Sequence, residues 1–244
     1  MTDENMIWDS IEDFIASDPY YKFHHHLIHV TDAIYCPKLV WFRTHLEPET
    51  VEPLYDRGPM LKPENYEMTL GTLIHAGVLH YLSLAHPFTK TEFKLDPVPI
   101  DGKFLLIGKA DAVIPTSMRT ATLLEVKTIR WIIEEFEPPE HHIMQLSLYK
   151  YMLDRMYDDG IVNFTVEQCK LLYINRSPPS RRGRTWIPKV ELDVEPEDVR
   201  IFLDHIKYIT KVDEYPRPLD CGWKRKYCPF ADICTNEKKE GTSR

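Results

Sequence analysis

Apolar and polar positions change their period several times along the 244-residue chain. Over residues 4–16, 31–44 and 63–84 apolar side chains recur at three- and four-residue intervals, which predicts three amphipathic helices. Thr31 and Asp32 can cap the second. Glu64 lies in the first turn of the third, where a carboxylate complements the helix dipole. The intervening LEPETVEPLYDRGPMLKP is too rich in proline for regular structure and predicts an ordered surface loop or flap. From Thr89 the period falls to two. TEFKL, KFLLIGKADAVI and ATLLEVKTI predict a three-strand meander, with turns at 99–103 and 115–120. Helical spacing returns over 139–157, closed by Asp158, Asp159 and a Gly160 placed where a C′ glycine belongs. Two further strands, CKLLYIN and TWIPKVELD, flank a basic loop, and a helix over 196–211 precedes an irregular tail that carries cysteines. There is no internal repeat.

Composition narrows the class. With 43% hydrophobic and 28% charged residues the chain reads as a soluble globular protein. It has no run of eighteen apolar residues, and its acidic start lacks the basic and apolar segments of a signal peptide, so we expect a cytoplasmic protein without a membrane partner. The formal charge of −8 argues mildly against nucleic acid, but the sum conceals a basic stretch over 176–189 and another at Lys224, Arg225 and Lys226. A local basic groove is compatible with both. Arg181, Arg182 and Arg184, with Trp186 beside them, could hold backbone phosphates and stack a base, or could form a solvated hairpin tip.

The most informative stretch is Gly108-Lys109-Ala110-Asp111, followed fourteen residues later by Glu125-Val126-Lys127 inside an apolar strand. Alternation along LLEVK sends Leu124 and Val126 to one face and Glu125 and Lys127 to the other. Antiparallel pairing through a short turn can bring Asp111 beside Glu125. Two carboxylates and a backbone carbonyl form a hard oxygen site suited to Mg²⁺ or Mn²⁺. Such an ion could polarise a phosphoryl oxygen and acidify a water, with Lys127 orienting or deprotonating that water or stabilising the developing charge. A solvated ladder of surface charges is the bland alternative.

Two further pieces flank this stretch: Gly71 and His75 in the helix before the strands, and Gln145 and Tyr149 one turn apart in the helix after them. In this order, G-x-x-x-H, G-x-x-D, E-V-K and Q-x-x-x-Y resemble the RecB-like nucleases of the PD-(D/E)XK superfamily over residues 71–149. The resemblance implies an α/β, restriction-endonuclease-like mixed sheet flanked by helices. It also implies a metal held by His75, Asp111, Glu125 and the Val126 carbonyl, with Lys127 as the catalytic lysine. Gln145 and Tyr149 would line the DNA track, and His142 could join that face or be an ordinary surface histidine.

Five cysteines in a reducing compartment read as metal ligands or packing rather than disulfides. Cys36 stands alone near the start, and Cys221, Cys228 and Cys234 cluster near the end. Cys169, inside a strand, reads as a small hydrophobe. Four thiolates suit zinc or an iron–sulfur cluster, and spacing does not decide between them. The early C-P-x-x-x-W and the terminal C-P-x4-C resemble the CRISPR-associated iron–sulfur exonucleases, the fourth Cas family. That resemblance implies a [4Fe–4S] cluster tying the N-terminal helices to the C-terminal tail, although six residues separate Cys221 from Cys228 where the family commonly has two. We therefore expect a helical region over 1–70, a nuclease core over 71–212 and a cluster-binding tail over 213–244.

The expected function is metal-dependent hydrolysis of DNA. The family resemblance adds exonuclease action on single-stranded ends, 5′ to 3′, possible endonuclease activity, a role in CRISPR spacer acquisition and Cas integrase partners. The competing classes are a non-catalytic DNA-binding or adaptor module and a zinc-stabilised phage recombination nuclease.

Overall fold

Strand β3 (Leu105–Pro115) organises the sheet. In the computed structural model, which describes residues 26–55, 66–129, 137–176, 186–192 and 196–213 together with 228, 230, 231, 233 and 234, β3 has a different arrangement on each edge. Strand β2 (Lys90–Pro99) runs antiparallel along one edge, from Lys90 opposite Val113 to Pro99 opposite Leu105. The other edge serves two partners. Strand β1 (Leu27–His29) pairs in parallel with residues 105–107, and β4 (Thr120–Ile129) pairs antiparallel with residues 112–115. Residues 108–111 lie between them with no strand partner on that edge among the described residues. Beyond β4 come β5 (Thr165–Asn175), parallel to it, and β6 (Trp186–Leu192), antiparallel to β5.

Each face of the mixed sheet is covered because side chains alternate. Leu124 and Val126 of β4, with Ala112 of β3, pack against Leu79 of helix α4 (Tyr66–Ala85). On the opposite face Leu123, Leu171 and Tyr173 meet Leu146, Leu148, Met152 and Leu153 of α5 (Glu140–Asp158) and Ile206 of α6 (Pro196–Ile209). Leu146, Leu148 and Met152 are fully buried, and each contributes about 1.5–3 kcal/mol through burial. Helix α5 stops as expected: Gly160 adopts φ +71° and donates its N–H to the Tyr157 carbonyl.

The N-terminal part departs from expectation in three ways. The single helix expected over 31–44 is two, α1 (Val30–Tyr35) and α2 (Pro37–His45), separated by an extended Cys36 at φ −159°, ψ 110°. Pro37 explains the break, since proline drives the preceding residue out of the helical region and is itself tolerated at N1. Asp32 consequently lies inside α1 rather than capping a long helix, and its carboxylate pairs with the buried guanidinium of Arg43. Part of the expected loop is helical: Pro48 opens α3 (Pro48–Tyr55) at a position that needs no N–H. Strand β1 was not expected, because three residues are too short to show a period. The helix expected over 4–16 lies outside the described residues.

Helix α2 reaches the C-terminal part of the chain. Phe42 stacks on Phe230 with ring centroids 4.8 Å apart and planes at 17°. Val51, Leu39, Trp41, Ile233, Cys228 and Cys234 join that cluster, and the Trp41 indole donates to the Val212 carbonyl at 2.9 Å.

Candidate metal centre and its lysine

The site forms on the edge of β3 where residues 108–111 have no strand partner among the described residues. The ladder between β3 and β4 ends at Ala112 opposite Leu124, one step short of Asp111 and Glu125. A side chain continues it: Asp111 Oδ2 accepts the Val126 N–H at 2.7 Å. The same oxygen lies 2.9 Å from Nε2 of His75, which α4 supplies. Gly71 permits this approach, for a Cβ there would stand 2.8 Å from Oγ1 of Thr128 on β4. Asp111 and His75 therefore meet from two elements, and Glu125 on β4 lies close enough for both charges to act on it.

Glu125 and Lys127 leave β4 on the α5 side. Lys127 Nζ donates to Glu125 Oε1 and to Gln145 Oε1, both at 2.7 Å, while Gln145 Nε2 donates to Glu125 Oε1 at 2.8 Å. Gln145 Nε2 also donates to the Tyr149 hydroxyl at 3.0 Å. Gln145 and Tyr149 are each 4% exposed, so the Gln145 amide faces the carboxylate and the lysine rather than solvent, and the Tyr149 hydroxyl meets that amide. Tyr149 fits because residue 108 is glycine: a Cβ on Gly108 would lie 2.8 Å from the Tyr149 ring. His142, also on α5, shares a 2.9 Å hydrogen bond with the Tyr173 hydroxyl.

Charge and burial work against each other here. Burial, reinforced by the Asp111 charge, pushes the Glu125 carboxyl up to about 7 against the pull of Lys127 and His75. Lys127 is raised although burial opposes its charge, because Glu125 and Asp111 favour the ammonium. Burial likewise opposes the His75 charge, but its hydrogen bond to Asp111 and the surrounding carboxylates raise it. Glu125 Oε2 is buried without a hydrogen-bond partner. A buried carboxylate oxygen in that condition is costly unless a cation or donor completes it. His75 and Asp111, held 2.9 Å apart, offer the imidazole and carboxylate donors that a divalent cation accepts, and Glu125 adds a carboxylate on which both act electrostatically.

Glu92 was missed by sequence reasoning. The pairs Thr91 opposite Ala112 and Phe93 opposite Ala110 place it across from Asp111, and His75, Glu92 and Asp111 offer ligand atoms within 4.8 Å of one another. Its signal in the sequence, one acidic residue among alternating strand positions, is common to exposed strands.

The cysteines divide as follows. Cys169 is buried in the main core, and burial pushes its thiol up to about 12, so it packs as the expected small hydrophobe. Cys36 forms the break at the head of α2, and Cys228 and Cys234 pack against the apolar cluster around Phe42 of that helix. None of these four forms a disulfide. Cys221, Lys224, Arg225, Lys226 and the arginines 181, 182 and 184 lie outside the described residues, as does the side chain of Trp186. No helix among the described residues is long and apolar enough to cross a membrane.

Comparison with known proteins bears on the family and the fold. The model of the family described as the PD-(D/E)XK nuclease superfamily matches residues 78–235, more than half of the chain. No curated protein matches. Among solved structures, the crystal structure of SSO0001 superposes with a TM-score of 0.64 at 24% identity, over 96% of this chain and 98% of that one. At that identity the likeness is one of fold.

Proposed function

The chain belongs to the PD-(D/E)XK nuclease superfamily, and on that premise we propose that it is a Mg²⁺- or Mn²⁺-dependent deoxyribonuclease, chiefly an exonuclease on single-stranded ends working 5′ to 3′. The observation that carries the reading is the convergence at the gap in β3: His75 on Asp111, Asp111 on the Val126 N–H, and Glu125 with a buried oxygen that lacks a partner. In this reading His75, Asp111, Glu125 and the Val126 carbonyl hold the ion. When bound, it supplies Lewis-acid polarisation of the scissile phosphoryl group and acidifies the attacking water. The chain's own residues do the rest. The Lys127 ammonium, fixed between Glu125 and Gln145, stabilises negative charge that develops on the phosphoryl oxygens. Gln145, itself bonded to the Tyr149 hydroxyl, holds that ammonium in place, so little reorganisation remains when charge develops.

The second element is a [4Fe–4S] cluster held by Cys36, Cys221, Cys228 and Cys234. Its support is the packing of Cys228 and Cys234 against the helix that Cys36 heads. Exonuclease polarity, a part in CRISPR spacer acquisition and Cas integrase partners rest on the motif resemblance alone.

The test is cleavage of 5′-labelled and 3′-labelled single strands, and of circular single strands, with and without Mg²⁺ or Mn²⁺, by the wild-type protein and Asp111→Ala. Metal-dependent release of nucleotides from linear strands only, absent in the variant, is expected. Equal activity in Asp111→Ala would overturn the assignment. An absorption band near about 400 nm in anaerobically purified protein is expected of the cluster, and a colourless protein without iron would remove that part.

A further inference from the structure

Glu92 occupies an unusual position. It is a non-glycine residue at φ +51° near the start of β2, in the left-handed region where a side chain strains the backbone. Such a residue persists where its surroundings over-determine it, and these outliers gather at functional sites. The surroundings here are specific. Lys109 pairs with Glu92 Oε2, and Glu92 Oε1 lies 3.9 Å from His75 Nδ1. The other ring nitrogen of His75 faces Asp111 at 2.9 Å. Each nitrogen of this imidazole therefore has its own carboxylate.

A histidine ligates a cation through one nitrogen only, and metal-bound histidines commonly donate the other N–H to a carboxylate, which fixes both tautomer and ring orientation. We propose that Glu92 is the positioning residue of the metal centre, its carboxylate taking the Nδ1–H of His75, directly or through one water, so that Nε2 is turned towards the cation beside Asp111. The 3.9 Å gap is one that a rotation of the partly exposed Glu92 side chain or a single water closes. Lys109 holds the carboxylate against β3, across from Asp111. Direct ligation by Glu92 fits less well, since its near approach is to Nδ1 whereas Asp111 meets Nε2. This inference rests on the metal reading above.

The test measures Mn²⁺ binding by calorimetry, independently of cleavage, in five forms of the full chain: wild type, Glu92→Gln, Glu92→Asp, His75→Ala and the Glu92→Gln/His75→Ala double variant. Glu92→Gln should weaken Mn²⁺ about tenfold or more with little change in melting temperature, and Glu92→Asp should recover part of the loss. In the His75→Ala background Glu92→Gln should add nothing. Wild-type affinity in Glu92→Gln would overturn the proposal while leaving the metal reading intact. A second, additive loss in the double variant would make Glu92 a ligand in its own right and also overturn it. A wild-type protein that binds no Mn²⁺ would remove the metal reading itself, and this one with it.

Discussion

Asp111 takes up the backbone of Val126: its carboxylate accepts the N–H at 2.7 Å at the point where pairing between β3 and β4 stops. One side chain thereby closes the sheet and supplies a charge to the site. Asp111→Asn keeps an oxygen for that N–H and removes the charge, so it should melt close to the wild type and bring metal-dependent cleavage to background. Asp111→Ala should lose cleavage and also about 1–3 kcal/mol of stability, because a buried N–H is left unpaired. Melting curves beside nuclease assays separate the two effects.

Lys127→Ala should lower kcat by about a hundred- to a thousandfold, the range seen when one stabilising donor is removed, with Mn²⁺ affinity retained. Gln145→Ala leaves the ammonium in place without its brace and should cost about tenfold, a loss typical of supporting partners. Single-turnover rates at saturating metal and DNA provide the comparison. Normal turnover with weakened DNA binding in Lys127→Ala would make the lysine a phosphate anchor instead.

Two glycines should resist substitution for reasons of space. Gly108→Ala drives a methyl into the Tyr149 ring at 2.8 Å, and overpacking of this kind costs about 1–3 kcal/mol. Because Tyr149 also holds Gln145, the same change should reduce kcat. Gly71→Ala meets Thr128 Oγ1 at 2.8 Å; adding Thr128→Ala should restore the melting temperature, which a purely conformational effect at Gly71 would not allow.

The metal-free protein should lose stability as pH rises. Glu125 titrates near 7 when folded against an ordinary 4.5, so the native state binds this proton more tightly than the unfolded chain does. Its stabilisation is complete below the unfolded value and disappears as pH climbs through 7. His75 is also raised and acts in the same direction. Scanning calorimetry between about pH 5 and 8 should show a falling melting temperature, flattened in Glu125→Gln, and added Mg²⁺ should stabilise more at the alkaline end because its ligand must be deprotonated. A profile that rises instead would contradict the burial of this carboxyl.

For the cysteines, Ala at Cys36, Cys228 or Cys234 should lower iron content and bleach the protein, and Cys221→Ala should do the same if its longer spacing still reaches the cluster. Cys169→Ala should keep the iron. Since Cys169 is buried in the core, that variant should melt slightly lower, by an amount corresponding to about 1 kcal/mol for the small cavity left behind. Iron analysis with thermal melts of each variant decides.

The meander and the two faces of β4 were legible because period-two alternation placed Leu124 and Val126 on one face and Glu125 and Lys127 on the other, and the structure has them so. The break at Cys36 was equally present in the sequence, as the proline that follows, but the apolar spacing across it obscured the signal. Helix α3 was hidden by four prolines within the segment read as a loop, one of which opens it. Glu92 could not be found by pattern, because its importance arises from register: only after β2 is laid against β3 does it stand across from Asp111. Gln145 and Tyr149 were located correctly on one helix face, whereas their burial depends on the closeness of α5 to Gly108, a distance that no spacing encodes.

The stacking of Phe42 on Phe230 also bears on time. Roughly 190 residues separate the two rings, so a ribosome adding about 5–20 residues per second needs roughly ten to forty seconds to deliver the second after the first. Throughout that interval the inner side of helix α2 has no cover from the chain's distal end, while the strands of the sheet are already emerging. The nascent protein thus passes through a stage with its central sheet complete and one sticky flank open to chaperones. Stalled nascent chains ending just before and well beyond Phe230 should differ in protease sensitivity around Leu39 and Phe42, and equal protection of both would mean that this flank is covered from elsewhere.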